Sequence, residues 1–388
     1  MESINRNRLF LASCFALITT SMTFAFRVRL ESVFGPEGVG LTLEQIGWAF
    51  TPAFWGFTLA MMIGGPLVDS LGMKKITWLA FITHAIGIVA TIMATSQTSL
   101  FIATLFIGIG NGMVEAALNP LVTSMFPKEK TKMLNRFHVW FPGGIVIGAV
   151  VGYILMDQMN LSWQVMVGTL FIPLTIYGFL FLGQKFPVTE RVEMGISSSQ
   201  MYKSLASPLF IFIAFCMLLT AGTELGTNQR IESLLKESGT NGLLVLAFIN
   251  GIMALGRLSA GEVAHRLSVS GMLLFSAIFS FLGLMVFTQV DGSMTFVAAA
   301  IFAIGITFFW PTMLSFVAVN IPQSGAIGLA VMGGLGMLSV SIILPVMGRI
   351  MDGATGIEAV KFMSILPAIL IFLFAGLYFY MGKKKTAH

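Results

Sequence analysis

The chain has 388 residues, of which 56% are hydrophobic and only 10% charged, whereas an average soluble domain carries about 25% charged residues. With 35 Phe, 26 Met and 41 Gly as well, the composition excludes a water-facing globular enzyme, a disordered chain and a nucleic-acid binder. The net charge of +5 does not reverse this, because the basic residues fall in short connections between apolar runs, as membrane topology requires. Cys14 and Cys216 both lie inside apolar runs, so no disulfide framework is implied.

A spanning helix needs about 20 mostly apolar residues, because about 30 Å of hydrocarbon is crossed at a 1.5 Å rise. Twelve runs meet this condition: 9–30, 44–68, 75–95, 99–125, 136–156, 163–184, 207–230, 242–262, 270–288, 294–318, 325–348 and 359–381. They are continuous, and too long for the alternating strands of a barrel. The first follows Arg6 and Arg8, as a signal peptide would. It is too long for an h-region and has no small-x-small cleavage site, so it is read as retained. The fold class is therefore an all-α membrane protein of twelve transmembrane helices. With the N-terminus inside, 15 of the 22 Lys and Arg fall on inner segments. The positive-inside rule then puts both termini in the cytoplasm of a multi-pass plasma (inner) membrane protein.

The longest polar stretch between runs, 185–206, divides the chain into an N-terminal six-helix bundle (1–184), a cytoplasmic linker and a C-terminal six-helix bundle (207–388). The two halves echo each other. Asn119-Pro120 in the fourth run answers Trp310-Pro311 in the tenth. The fifth run ends at Gly152 and Asp157, the eleventh at Gly348 and Asp352. Repeats of this kind place a solute site at their interface, near the bilayer midplane.

Residues 65–75 read Gly-Pro-Leu-Val-Asp-Ser-Leu-Gly-Met-Lys-Lys. They resemble the loop signature of the major facilitator superfamily, G-x-L-x-D-x-x-G-K/R-rich, between its second and third helices. In that motif Gly65 permits close helix approach, Asp69 sits against a helix N-terminus, Gly72 makes the turn, and Lys74 and Lys75 hold the loop inside. Ser70 departs from the pattern, which has Arg there. Glu115 followed by Asn119-Pro120 and the stretch Leu134 to Gly143 with His138 and Trp140 are similar to the fucose–proton symporter-like branch; Glu224 after Ala221-Gly222 resembles the start of the seventh helix in related sugar facilitators, and Gly256-Arg257 and Phe309 to Thr312 with Trp310 also fit. The resemblance implies the two-bundle major facilitator fold, alternating access, and movement of a sugar or sugar-like solute coupled to a cation gradient.

The charges inside the bilayer carry the site argument. A carboxylate at bilayer depth costs about 2.5–3.5 kcal/mol on insertion scales, so it must face the bundle interior or a wet cavity. Desolvation raises a carboxyl pKa, which suits Glu115 to bind and release a proton; the bland alternative is interhelical glue. Glu224 either coordinates a cation or solute hydroxyl, or is partly solvated near the outer mouth. Asn228 and Gln229 offer amide donors and acceptors suited to a sugar. Arg27 either lines the cavity, pairing with a carboxylate or an anionic solute, or snorkels outward with Arg29. Arg257 lies too deep to snorkel and is read as paired with a neighbouring helix end. His138 either joins a proton route with Glu115 or is a structural interhelical histidine. Trp140 and Trp310 either stack on a sugar face or pack. His84 is read as peripheral, and no residue set has metal-ligand spacing.

The reading is a secondary active transporter with no cofactor beyond a coupling proton or sodium ion, working as a monomer in the bilayer on a small-molecule solute, with no nucleic acid. The competing reading is a proton-driven efflux antiporter for lipophilic or anionic compounds. An embedded enzyme is disfavoured by the lack of an HExxH or nucleophile–His arrangement.

Overall fold

A computed structural model describes residues 4–127, 130–188, 198–235 and 239–386. Every regular element among these residues is a helix. Eleven are long and apolar enough to cross a membrane, and a shorter apolar helix makes twelve. In chain order they are α1 (Arg6–Phe34), α2 (Leu43–Val68), α3 (Met73–Ile92), α4 (Gln97–Met125), α5 (Arg136–Gln158), α6 (Trp163–Phe181), α7 (Pro208–Gln229), α8 (Gly242–Leu258), α9 (Val269–Phe287), α10 (Gly292–Val317), α11 (Ile327–Gly353) and α12 (Gly356–Gly382). The chain is a multi-pass integral membrane protein. Several ends are corrected: α1 runs on to Phe34 rather than 30, α11 to Gly353 rather than 348, and α8 stops at Leu258 rather than at 262, because the chain turns at Ser259 and continues as a short polar helix, Ala260–Leu267.

Local chemistry sets the helix ends. Thr42 with Gln45 and Ser96 with Ser99 form capping boxes that open α2 and α4. Ser207 caps α7 ahead of Pro208, and Asn241 caps α8. Gly72, at φ +86°, makes the turn from α2 to α3 in a conformation that side chains disfavour.

Lipid tails give no hydrophobic drive between helices, so small residues and buried hydrogen bonds hold them together. A Cβ on Gly108 or Gly112 of α4 would come within 2.6 or 2.5 Å of α2 backbone. His84 is buried rather than peripheral, which corrects the sequence reading. Its Nε2 meets Asn111 Oδ1 at 2.8 Å and its Nδ1 meets the Tyr177 hydroxyl at 3.2 Å. Asn111 in turn donates to Thr23 Oγ1 at 3.1 Å, so one polar chain ties α1, α3, α4 and α6.

Two long seams join the first six helices to the last six: α2 along α11 and α5 along α8. On the first, Thr58 Oγ1 donates to the Gly334 carbonyl at 2.7 Å. Gly65 lies so near α11 that a Cβ there would be 3.3 Å from Ala330 Cβ. Three irregularities interrupt the spans. α5 ends in a π-helical turn, Tyr153–Gln158; α7 contains another, Gly222–Gly226; and α10 breaks at Thr307 and Phe308. Such departures cluster at functional sites.

Candidate functional site

The irregularities in α7 and α10 border one small, partly enclosed cavity. Glu115, His138 and Phe141 line it from α4 and α5. Glu224, Leu225, Arg257, Trp310 and Met337 line it from α7, α8, α10 and α11.

On the α4–α5 side, Glu115 is 6% exposed. One turn further on, Asn119 donates from Nδ2 to Glu115 Oε2 at 2.6 Å. Asn119 Oδ1 meets His138 Nε2 at 3.0 Å, and the same Nε2 is 3.9 Å from Glu115 Oε2. Because Asn119 offers its amide hydrogens to the carboxylate, its oxygen is left as the acceptor. His138 is thereby assigned as the tautomer with hydrogen on Nε2. The carboxyl, amide and imidazole form one hydrogen-bonded chain facing the cavity. Pro120, next in α4, removes the backbone donor that would complete the helix ladder there.

On the other side, Glu224 and Arg257 form an ion pair at 3.2 Å, both nearly inaccessible to solvent. Arg257 Nε also donates to the Thr307 carbonyl at 3.1 Å, which the break in α10 frees from its own helix. The Trp310 backbone amide, just past that break, lies beside the Glu224 carboxylate. The discontinuous helix therefore offers a carbonyl to the cation and an amide to the anion. Arg257 is thus bound to a neighbouring helix end and to Glu224 together.

Arg27 does not line the cavity. It is 3% exposed, and its guanidinium lies 4.9 Å from the ring centroids of both Phe24 and Phe54. Its NH1 donates to Gln229 Oε1 at 2.9 Å, and Gln229 Nε2 donates to the Phe24 carbonyl. It has no carboxylate partner among the described residues. Phe24 packs edge-on against Phe141, a cavity-lining ring, so Arg27 stands one aromatic layer outward of the cavity. Asn228 is buried and its amide has no hydrogen-bond partner. Trp140 is 40% exposed and, like Asn119, Asn228 and Gln229, is absent from the cavity lining. Gly65 and Gly72 stand at the close approach and the turn already described. Lys74 is exposed, and the side chain of Asp69 lies outside the described residues.

Outward of Arg27 the helices are locked by ion pairs, in which Arg29 is held by carboxylates rather than snorkelling. Arg29 pairs with Glu232 at 2.7 Å and with Asp157. Arg230, fully buried, meets Glu31 at 2.5 Å and donates to the Leu43 and Leu344 carbonyls at 2.9 and 2.7 Å. Asp352 accepts from the backbone amides of Leu43 and Glu44 at the start of α2. Asn241, at the start of α8, donates to Asp157. The repeated aspartates at the ends of α5 and α11 thus each latch onto the first turn of a helix from the other half. That repeat is the one signal in the sequence that marked them.

Comparison with known proteins bears on what this arrangement belongs to. The sequence pattern of the Major Facilitator Superfamily matches residues 9–342. A hexuronate transporter of Bacillus subtilis is 25% identical over 185 residues, 47% of this chain and 42% of that protein. A D-xylose transporter of Levilactobacillus brevis is 24% identical over 140 residues, 36% of this chain and 30% of that protein. The matches therefore span less than half the length of these two relatives. The xylose transporter XylE of E. coli, in a partially occluded inward-open conformation, superposes with a TM-score of 0.76 at 13% identity, covering 95% of this chain and 96% of that one. The transporter FucP, in its outward conformation, gives 0.68 at 19% identity, with 95% and 98% covered. At these identities the structural likeness speaks for the fold.

Proposed function

This chain belongs to the major facilitator superfamily, whose members are transporters, and from that premise we propose that it is a secondary active transporter of a small, sugar-like solute. It works by alternating access between two six-helix bundles, 1–184 and 207–388, and couples to protons at Glu115. The observation that carries the proposal is the cavity itself. Two separate acid sites from opposite bundles, Glu115–Asn119–His138 and Glu224–Arg257, face one space at the seam. The ion pairs outward of it join α1 and α5 to the C-terminal end of α7.

The roles follow from the partners. Glu224 has a guanidinium partner at 3.2 Å, whereas Glu115 has only an amide and a more distant imidazole. A proton that arrives at Glu115 therefore neutralises a carboxylate with no strong counter-ion. His138, two hydrogen bonds away through Asn119, lies nearer the start of α5 and relays the proton towards the inner side. Trp310 and Phe141 offer ring faces to a sugar, and Arg257 a donor to its hydroxyls. The protein sits in the plasma (inner) membrane with both termini cytoplasmic, and works as a monomer.

Arg27 favours a second reading, in which the solute is acidic. Among the described residues it is a buried guanidinium without a carboxylate, whereas Arg29, Arg230 and Arg257 each have one. A carboxylate on the solute would complete it. Purified protein in proteoliposomes, given an acid-outside pH gradient, should accumulate members of one panel of hexoses, pentoses and sugar acids. Retention of neutral sugars but loss of acids in Arg27→Gln selects the acidic reading. Extrusion of lipophilic compounds, with no sugar accumulated, replaces uptake by efflux.

A further inference from the structure

Among the described residues, the outer ion cluster is short of positive charge. Arg29 of α1 serves two carboxylates at once, Asp157 of α5 and Glu232 just past α7. Arg230 is occupied by Glu31 of α1. Among the described residues, three carboxylates thus share two guanidiniums. Their remaining partners are unequal. Asp157 Oδ2 accepts from Asn241 at 3.2 Å, and Glu31 Oε1 accepts from the Ser233 hydroxyl. Glu232 Oε2 is buried with no hydrogen-bond partner. The backbone of Glu232 is pressed against α8, since a Cβ on Gly242 would come within 2.5 Å of its Cα. A buried carboxylate oxygen with no donor carries a full desolvation cost that a proton on it would relieve.

We propose that Glu232 is a proton-binding site of the outer gate, protonated while Arg29, Glu31, Asp157 and Arg230 close around it and ionised when the gate opens. The idea rests on alternating access, but not on Glu115. The proton enters from the outer medium on closing and returns to it on opening, so it is not carried across. It sets the balance between the two conformations, and acid outside favours the closed gate.

The expected size follows from linkage. Burial, opposed by Arg29 and reinforced by Glu31 and Asp157, pushes the Glu232 carboxyl up to about 7 in the closed gate. In the open, hydrated gate it returns to about 4.3. Closure is therefore fully supported below the open value and loses support as pH rises through the closed one. From pH 8 to pH 5.5 the closed-to-open ratio should rise roughly 25-fold.

The test uses the whole chain in lipid nanodiscs. Cys14→Ser and Cys216→Ser remove the native thiols, and spin labels go on exposed outer-loop positions of the two bundles, Val39→Cys and Gln289→Cys. Pulsed electron resonance then reads the distance across the outer mouth from pH 8 to pH 5.5. Two populations should appear, with the short one growing on acidification. Glu232→Gln should stay in the short population at every pH, and Glu232→Ser should be equally flat with pH. Two populations whose ratio ignores pH, or a Glu232→Gln profile that tracks the parent, overturns the proposal. A single distance under every pH and solute condition instead overturns alternating access.

Discussion

Arg230 holds four elements at one point, so its removal gives a sharp prediction. In Arg230→Met the Glu31 carboxylate stays 2% exposed with only the Ser233 hydroxyl as donor. Removing one partner of a buried ion pair costs about 3–5 kcal/mol. The loss is unevenly distributed between conformations. Arg230 and Leu344 belong to the C-terminal bundle, while Glu31 and Leu43 belong to the N-terminal one. Under the alternating access proposed here, contacts with Leu344 would survive opening and those with Glu31 and Leu43 would be lost. The closed-to-open ratio should therefore fall by roughly two to three orders of magnitude, at about 1.4 kcal/mol per tenfold. The distance between labels at Val39→Cys and Gln289→Cys should lengthen in most molecules. The double variant Glu31→Gln with Arg230→Met should recover much of the short population, because no uncompensated carboxylate remains. A single Arg230→Met variant with the parent's distance distribution would refute the reasoning.

Other expectations follow from the same coordinates. A Cβ on Gly348 would meet the Leu43 carbonyl at 2.4 Å and Arg230 NH2 at 2.8 Å, so Gly348→Ala should weaken outer closure by about 1–3 kcal/mol, read as a smaller short-distance population between labels at Val39→Cys and Gln289→Cys. Arg257→Met leaves Glu224 buried without its cation and should lower thermal stability of the purified protein by about 3–5 kcal/mol in free-energy terms, with substantial recovery in Glu224→Gln with Arg257→Met. Closure measured in Glu232→Gln should lose the acid dependence of the parent, as argued above.

How much of this was legible in the sequence depends on the scale of the feature. Twelve spans follow from apolar runs against bilayer thickness, and the structure places a helix at each. Several ends move by a few residues: α8 stops at the turn at Ser259 and α11 runs on to Gly353, because such ends depend on local conformation that hydropathy does not encode. Intramembrane charge identified Glu115, Glu224 and Arg257, which the fold brings to one cavity. Arg27 resisted, because a guanidinium on one helix reads the same whether it faces a void or two phenyl rings from α1 and α2. Glu31, Asp157 and Glu232 lie at helix ends, where charges are ordinary. Only the register between α1, α5 and the end of α7 makes them a cluster, and nothing local to any one segment records that register. The break before Trp310 has a local cause, because Pro311 lacks the N–H that would bond the Thr307 carbonyl, whereas nothing local marks the π-turn at Glu224, where Gly222 and Gly226 pack against α11.

The central claim is that Glu115 carries the coupling proton. The most direct measurement compares Glu115→Gln with the parent in proteoliposomes, using a solute that the parent accumulates. Two quantities are read: accumulation under an acid-outside gradient, and exchange of labelled for unlabelled solute at equal pH. Accumulation should vanish while exchange continues at close to the parent's rate, because the amide mimics the protonated carboxyl and leaves the Asn119–His138 side of the cavity in place. Accumulation undiminished in Glu115→Gln would contradict the account.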